Sequence, residues 1–287
     1  EEQVPVHLQR TVAALAAASI LTAAPAARAA APHHHQQRER SAGIVGKLVA
    51  HEATPRTRAA RTAETPTHPL LGFGGGAYDG CSATPEPGMR FVRIILYRDT
   101  SLGLFEACAA NAHQAGLRLI VSVQYNADWS MSQIEAWFRQ ALATYVPYRP
   151  YAISIGNEQE LGQSGGSPES YHEVWDAVEP IVAATDPSAI RVAGEISPWG
   201  LAWFEQAAAL GLPGAQAFAA HPYPDSQSPW ASTPSAFVKF ADVYHMPAWA
   251  TEGMCGPGAW TRYGCLPEST FARDGFALAV EWYAPSA

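Results

Sequence analysis

Past residue 68 the chain repeats one arrangement of hydrophobic and polar positions: a short apolar run, polar or aromatic residues at its end, then a stretch with helical spacing. The runs predict strands over Leu71–Gly75, Phe91–Leu96, Leu117–Gln124, Ala152–Gly156, Ile190–Gly194, Ala215–Ala220, Ala248–Thr251 and Ala277–Trp282. They are continuously apolar rather than alternating, as strands covered on both faces require. Helices are predicted over Leu102–Ala115, Met131–Tyr145, Pro168–Thr185, Leu201–Leu210 and Pro234–Val243, with two weaker ones completing the series.

Eight β/α units in about 220 residues predict an α/β fold, a compact (β/α)8 TIM barrel. The competing architecture is a doubly wound open sheet, whose mark is a glycine-rich phosphate turn after the first strand. "GFGGGAYDG" at 72–80 is glycine-rich, but it does not match G-x-G-x-x-G opening into a helix, and residues 81–88 continue as a Pro-containing loop. The sequence stops at Ala287, just after the eighth strand, so the barrel's final helix is expected to be missing.

Composition sets the first 68 residues apart. Arg10 precedes an alanine-rich apolar run from Thr11 to Ala24, and small residues follow up to Ala31, so residues 1–31 resemble an export signal with an Ala-x-Ala-like cleavage site. Residues 32–68, rich in Ala, Arg, Thr, Pro and His, are expected to be a low-complexity flexible linker, leaving 69–287 as the catalytic domain. The tract His33–His35 has no partner ligands nearby and is expected to be solvated. A formal net charge of −8 with no basic run argues against a nucleic-acid partner. The apolar segment is too short and alanine-rich for a membrane span. A secreted, extracellular monomer is expected.

Cys81, Cys108, Cys255 and Cys265 show no CxxC spacing for zinc or redox chemistry. In an exported chain their even number predicts two disulfides, and Cys255–Cys265 with Cys81–Cys108 is favoured because each closes a local loop.

In a β/α barrel the active site forms at the C-terminal ends of the strands. The residues ending the runs are Tyr78 and Asp79, Tyr97 and Asp99, then Gln124, Tyr125 and Asn126; they continue with Asn157 and Glu158, Glu195, His221 and Tyr223, Glu252, and Trp282. This rim of carboxylates, amides and aromatics fits glycoside hydrolysis, in which one carboxyl donates a proton to the leaving oxygen and the other attacks or activates water. Glu158 and Glu252 end the fourth and seventh strands on opposing arcs of the mouth. Glu160, two residues further on, is an alternative acid by a shift of register.

"IGNEQE" at the fourth strand and "WATEG" at the seventh resemble the paired signatures of the clan A retaining (β/α)8 glycoside hydrolases, over residues 69–284. The resemblance implies that Glu158 is the general acid/base, Glu252 the nucleophile, and Asn157 a ligand of the hydroxyl beside the anomeric carbon. It further implies that Arg93 of "FVRIILY" braces the nucleophile and that Tyr223 of "HPYP" donates to it, with His221 alongside. Trp282 of "EWYAP" would floor the sugar site. Tyr125, Asn126 and Glu195 are expected to line the site, and Trp199 and Trp230, like Trp129 and Trp260, follow strands where aromatic faces could stack on sugar rings. Trp137, Trp175 and Trp203 fall in helical stretches and are expected to pack.

The expected function is a secreted retaining β-glycosidase, endo-acting on a polysaccharide with β-glucan favoured, using no cofactor and no metal. A metal-dependent barrel hydrolase would need a His-x-His near the first strand, which "GFGGGAYDG" does not offer. A non-catalytic carbohydrate-binding barrel is the other alternative, against which both glutamates, the Asn and the Tyr speak.

Overall fold

All six residues of Phe91–Leu96 are buried, and one of them is an arginine. A strand sealed on both faces needs cover on each side, and the computed structural model supplies it with a helical layer outside and a closed barrel inside. It describes residues 69–75, 88–97, 101–161, 165–224, 231–255 and 264–283, all within the unit Arg61–Ala287. The signal-like segment 1–31 and the linker 32–68 lie outside the described residues.

The strands are β1 Leu70–Gly75, β2 Phe91–Leu96, β3 Arg118–Val123, β4 Ala152–Ile155, β5 Ile190–Ile196, β6 Ala217–Ala220, β7 Ala248–Met254 and β8 Leu278–Tyr283. Each pairs in parallel with the next, and β8 pairs with β1, closing an eight-stranded barrel. The helices are α1 Glu106–Gln114, α2 Met131–Tyr145, α3 Pro168–Thr185, α4 Leu201–Leu210, α5 Pro234–Val243 and α6 Glu268–Asp274. Two start signals are explicit in the sequence: Ser130 forms a capping box with Gln133, and Ser167 caps α3 with Pro168 in its first turn. None of the described helices is long and apolar enough to cross a membrane.

Strands and helices match the expected ones apart from their ends. The predicted helix from Leu102 begins as a 3-10 turn, Leu102–Phe105, before α1. Leu117 and Ala215–Gln216 precede the strands rather than belonging to them, although the Gln216 amide already donates to Arg191 O of β5 at 2.9 Å. One weaker helix is α6, whereas the stretch between β1 and β2 falls largely outside the described residues. Cys255 and Cys265 form the expected disulfide, and Cys108 is also disulfide-bonded; Cys81 lies outside the described residues.

Period-two alternation divides the core. Val92, Ile94 and Leu96 face outward into a large cluster with helix residues such as Phe138, Trp175 and Phe204. Phe91, Ile120, Val192, Trp249, Leu278 and Val280 fill the barrel itself. Towards its N-terminal end Tyr151 stacks on Trp249 with ring centroids 6.0 Å apart, and the Arg118 guanidinium lies 4.8 Å from the Tyr151 centroid. Higher up, the buried interior residues become polar and small, among them Ser122, Ser154 and Thr251, which leaves volume for a long charged side chain.

The ends of β4 and β5 are pinned together. The buried Tyr171 hydroxyl of α3 donates to the Ile155 carbonyl at 3.0 Å and accepts from the Gly194 amide at 3.1 Å. Gly194 has φ +98, and pairing with β6 shifts register between Gly194 and Ile196. A Cβ there would stand 2.5 Å from the Ala219 carbonyl oxygen and 2.8 Å from the Phe218 ring. Gly194→Ala is therefore expected to destabilise the barrel by about 2 kcal/mol or more, a fall in Tm of roughly 5–10 °C readable by thermal denaturation.

Candidate active site

The fourth strand ends in a backbone that most residues avoid. Gly156 has φ +98 and Glu158 φ +48, so the chain turns sharply over the barrel mouth. The turn is held from three sides: Gly156 N–H donates to Val123 O at 3.0 Å, Gln124 Nε2 to Asn157 O at 3.1 Å, and Glu158 N–H to Glu195 O at 2.9 Å. These bonds offset the strain of a left-handed glutamate, about 1–3 kcal/mol.

Beneath the turn lies Arg93, fully buried. Its Nε donates to Ser122 Oγ at 2.9 Å and Glu195 Oε1 at 3.1 Å; its Nη2 donates to Glu195 Oε2 at 3.0 Å and Asn157 Oδ1 at 2.7 Å. Its Nη1 donates to Glu252 Oε1 at 2.8 Å and the Thr251 carbonyl at 3.3 Å. Burial alone would lower the guanidinium's affinity for its proton, but Glu195 and Glu252 outweigh it and push its pKa up.

Glu252 also accepts from the Tyr223 hydroxyl at 2.6 Å, and its Oε1 lies 3.6 Å from His221 Nε2. Burial works to raise its carboxyl pKa, yet His221, Arg93 and Tyr223 together hold it below the ordinary value. Tyr223 is pushed the other way, kept protonated by burial and by the adjacent Glu252 charge. His221 Nδ1 donates to Glu158 Oε1 at 2.9 Å, so the imidazole bridges the two glutamates. Burial works to lower the His221 pKa, but Glu252 and Glu158 raise it overall, against the opposing Arg93 charge. The two glutamates differ in access: the Glu158 side chain is 28% exposed and that of Glu252 8%.

One oxygen or nitrogen each from Glu158, His221 and Glu252 lies within 4.8 Å of the others. These donors could in principle grip a cation, but Arg93 already places its charge 2.8 Å from Glu252 Oε1 and 3.5 Å from His221 Nε2, so a metal would have to share the position with a guanidinium.

The structure brings together Arg93, Asn157, Glu158, Glu195, His221, Tyr223 and Glu252. It corrects one expectation among them: Glu195 is fully buried and stands behind the site rather than lining it, while Arg93, also fully buried, lies against Glu252. Tyr125 is not at the mouth either: its ring is buried beside Phe138, with centroids 6.4 Å apart, on the outer, α2 side of β3. Asn126 lies in the loop after β3, where its Oδ1 accepts from the Asp128 amide at 3.1 Å. Glu160 is engaged away from its neighbour, with Oε1 accepting from the Ser197 amide at 2.5 Å. Trp199 is 39% exposed in the loop after β5, while Trp129 packs on Trp137 with centroids 6.1 Å apart. Trp282 is placed only as a backbone position of β8, paired with Gly74. Tyr78, Asp79, Asp99, Trp230 and Trp260 lie outside the described residues.

Several supporting residues escaped the sequence reading. Ser122 donates to Glu195 Oε1 at 2.9 Å while accepting from Arg93, and its signal was a lone hydroxyl inside an apolar strand. Gln159 supports the turn from below, its Nε2 donating to Tyr125 O at 3.3 Å. Tyr97, by contrast, is one of the strand-end residues named from the sequence; its hydroxyl pKa is raised by burial and then by Glu252, which places it within the field of the same carboxylate.

No protein-family model matches the chain, and no curated protein matches it. Among solved structures it is similar to the catalytic domain of Thermobifida fusca endoglucanase Cel5A, with 15% identity, a TM-score of 0.55, and coverage of 76% of this chain and 80% of that one. A form of the same domain in complex with cellotetraose gives 14% identity and a TM-score of 0.54 over 76% of this chain and 80% of that one. A double mutant of Cellulomonas fimi endo-β-1,4-mannanase aligns at 13% identity and a TM-score of 0.52, covering 77% of this chain and 66% of the mannanase, so the chain spans just under two thirds of it. The likeness is one of fold.

The site's charges set a stability window. His221, with its pKa raised above 6.5, contributes stability that is complete below that value and is lost as pH rises through the folded-state pKa. Glu252, lowered below 4.5, contributes stability present above that value and lost as pH falls through its folded-state pKa. Thermal denaturation across pH is expected to show a plateau bounded by these two losses, and His221→Asn to remove the decline on the alkaline side.

Proposed function

We propose that the protein is a glycoside hydrolase that cleaves β-glycosidic bonds of a polysaccharide with retention of configuration. The observation that carries this reading is the pair Glu158 and Glu252: carboxylate oxygens within 4.8 Å of each other across the mouth, in unlike surroundings. Retaining enzymes hold their carboxyl groups about 5–5.5 Å apart, whereas inverting ones leave about 6.5–9.5 Å for a water.

Environment divides the roles. Glu252, held ionised by Arg93, His221 and Tyr223, attacks the anomeric carbon while the glycosidic C–O bond breaks. The departing oxygen takes the proton from Glu158, whose Oε1 is engaged by His221, leaving Oε2 to carry it. A glycosyl ester on Glu252 results. Water then attacks the same carbon, its proton passes to the Glu158 carboxylate, and the ester bond breaks to regenerate Glu252. Asn157, fixed by Arg93 through Oδ1, has its amide N–H2 free to donate to the neighbouring sugar hydroxyl.

A β-glucan is the favoured substrate, supported by the compactness of the barrel. The endoglucanase domain bound to cellotetraose and the β-1,4-mannanase make cellulose-type and mannan chains the natural comparison. Endo-action is supported by the short β-to-α connections, such as residues 124–130 and 197–200. Export is supported by the N-terminal pattern and by the Cys255–Cys265 disulfide, which suits an oxidising compartment.

Reducing-sugar release should be measured on β-1,3- and β-1,4-glucans, mannan and xylan. Glu252→Ala is expected to lower kcat by more than about 10⁴-fold and Glu158→Ala by about 10²–10⁴-fold. Proton NMR of fresh hydrolysate is expected to show the β-anomer first. Undiminished turnover by Glu252→Ala, or the α-anomer appearing first, would sink the mechanism.

A further inference from the structure

Glu195 is a fully buried carboxylate that no chemical step above uses, and it sits in a backbone conformation, φ +52, that a glutamate rarely adopts. It follows Gly194 at φ +98, just as Asn157 and Glu158 follow Gly156 at φ +98. Regular alternation along β5 would send residue 195 outward among the helices. The irregular turn instead brings its carboxylate into the barrel, against Arg93.

There it does two things at once. Its two oxygens take the Nε and Nη2 edge of Arg93 at 3.1 and 3.0 Å, which turns Nη1 towards Glu252 at 2.8 Å. Its backbone carbonyl accepts the Glu158 amide at 2.9 Å, fixing the left-handed turn that presents the other glutamate. Ser122 Oγ donates to Oε1 at 2.9 Å and accepts from Arg93 Nε at 2.9 Å, tying the carboxylate and the guanidinium together.

We propose that Glu195 is a positioning residue that sets both reacting glutamates from one place: its carboxylate aims Arg93 at Glu252, and its carbonyl holds Glu158. This rests on the glycosidase reading above. A second consequence is electrostatic. Glu195 takes up part of the Arg93 charge and so moderates its pairing with Glu252, which stays ionised yet reactive. Among the described residues the ionisable groups facing Glu252 are Arg93 and Tyr97 from β2 and its end, Glu158 from the β4 turn, and His221 and Tyr223 from the end of β6.

The test is Glu195→Gln, which keeps the shape and removes the charge. On the polysaccharide that the wild type cleaves fastest, kcat is expected to fall on the order of 10²-fold with KM little changed, and the acidic limb of kcat/KM to move to lower pH. Independently of activity, ¹³C NMR of carboxyl-labelled glutamate, with the Glu252 signal assigned through Glu252→Gln, is expected to show Glu252 titrating lower by about half a pH unit or more. Glu195→Asp, which keeps the charge on a shorter arm, is expected to restore the titration but not kcat. A folded Glu195→Gln whose Glu252 titrates as in the wild type overturns the proposal, even if its Tm has fallen. If that variant does not fold, Ser122→Ala carries the same test with a smaller shift in the same direction, and an unchanged titration there overturns it. A wild type that cleaves none of the polysaccharides defeats the glycosidase reading alone, since the NMR titration still decides whether Glu195 sets Glu252.

Discussion

A guanidinium enclosed in a barrel interior is the constraint around which the upper half of this molecule is arranged. Burying a bare charge of this kind costs several kcal/mol even after relaxation, and it is tolerated only where partners satisfy it. Arg93 has five N–H groups, and all three of its nitrogens donate, to Ser122, Asn157, the Thr251 carbonyl, Glu195 and Glu252. Those partners come from β3, the end of β4, β5 and β7, so the strands must arrive at one height with those residues turned inward. Buried ion pairs of this kind contribute little net stability; what they enforce is a single arrangement. Small interior residues such as Ser122 and Ser154 make the room, and the aromatic packing of Phe91, Tyr151 and Trp249 closes the barrel below.

Most of the fold was legible because its strands are covered on both faces. A run such as Ala152–Ile155, buried throughout, leaves no polar face to confuse its limits. The errors lie where hydrophobicity and hydrogen bonding part company. Ala215 and Gln216 are apolar or neutral enough to extend a strand, yet Ala215 N–H bonds locally to Leu212 O at 3.2 Å and closes a turn. In β5 the reverse holds: the apolar run breaks at Glu195, while pairing with β6 resumes at Ile196 after a register shift.

The candidate site was legible as a set of strand ends, and misread where depth and direction matter. For β3, alternation places Ile120, Ser122 and Gln124 inside and therefore Tyr125 outside, so strict application of period two would have removed Tyr125 from the mouth. The same rule fails for Glu195, whose side chain points in because Gly194 and Glu195 both have positive φ. Nothing in a run of residue types announces that irregularity beyond the glycine itself. Gln159 and Ser122 were invisible for a different reason: their partners are a backbone carbonyl and a carboxylate more than thirty residues away.

Among the described residues the ionisable groups in contact at the mouth are three carboxyls, Glu158, Glu195 and Glu252, the Arg93 guanidinium and the His221 imidazole. Geometry determines where a proton can come and go. Glu195 has both oxygens occupied by Arg93 and lies wholly inside the barrel. Glu252 has Arg93 on one oxygen and Tyr223 on the other. Glu158 alone among the three is partly open to the mouth, held by His221 through a single oxygen. In the proposed mechanism the proton exchanged with a substrate oxygen or with water passes through that carboxyl, and because His221 contacts both glutamates each transfer is felt by the whole set rather than by one residue. The proposed division of labour between two chemically identical side chains thus follows from which of them the buried arginine has already claimed.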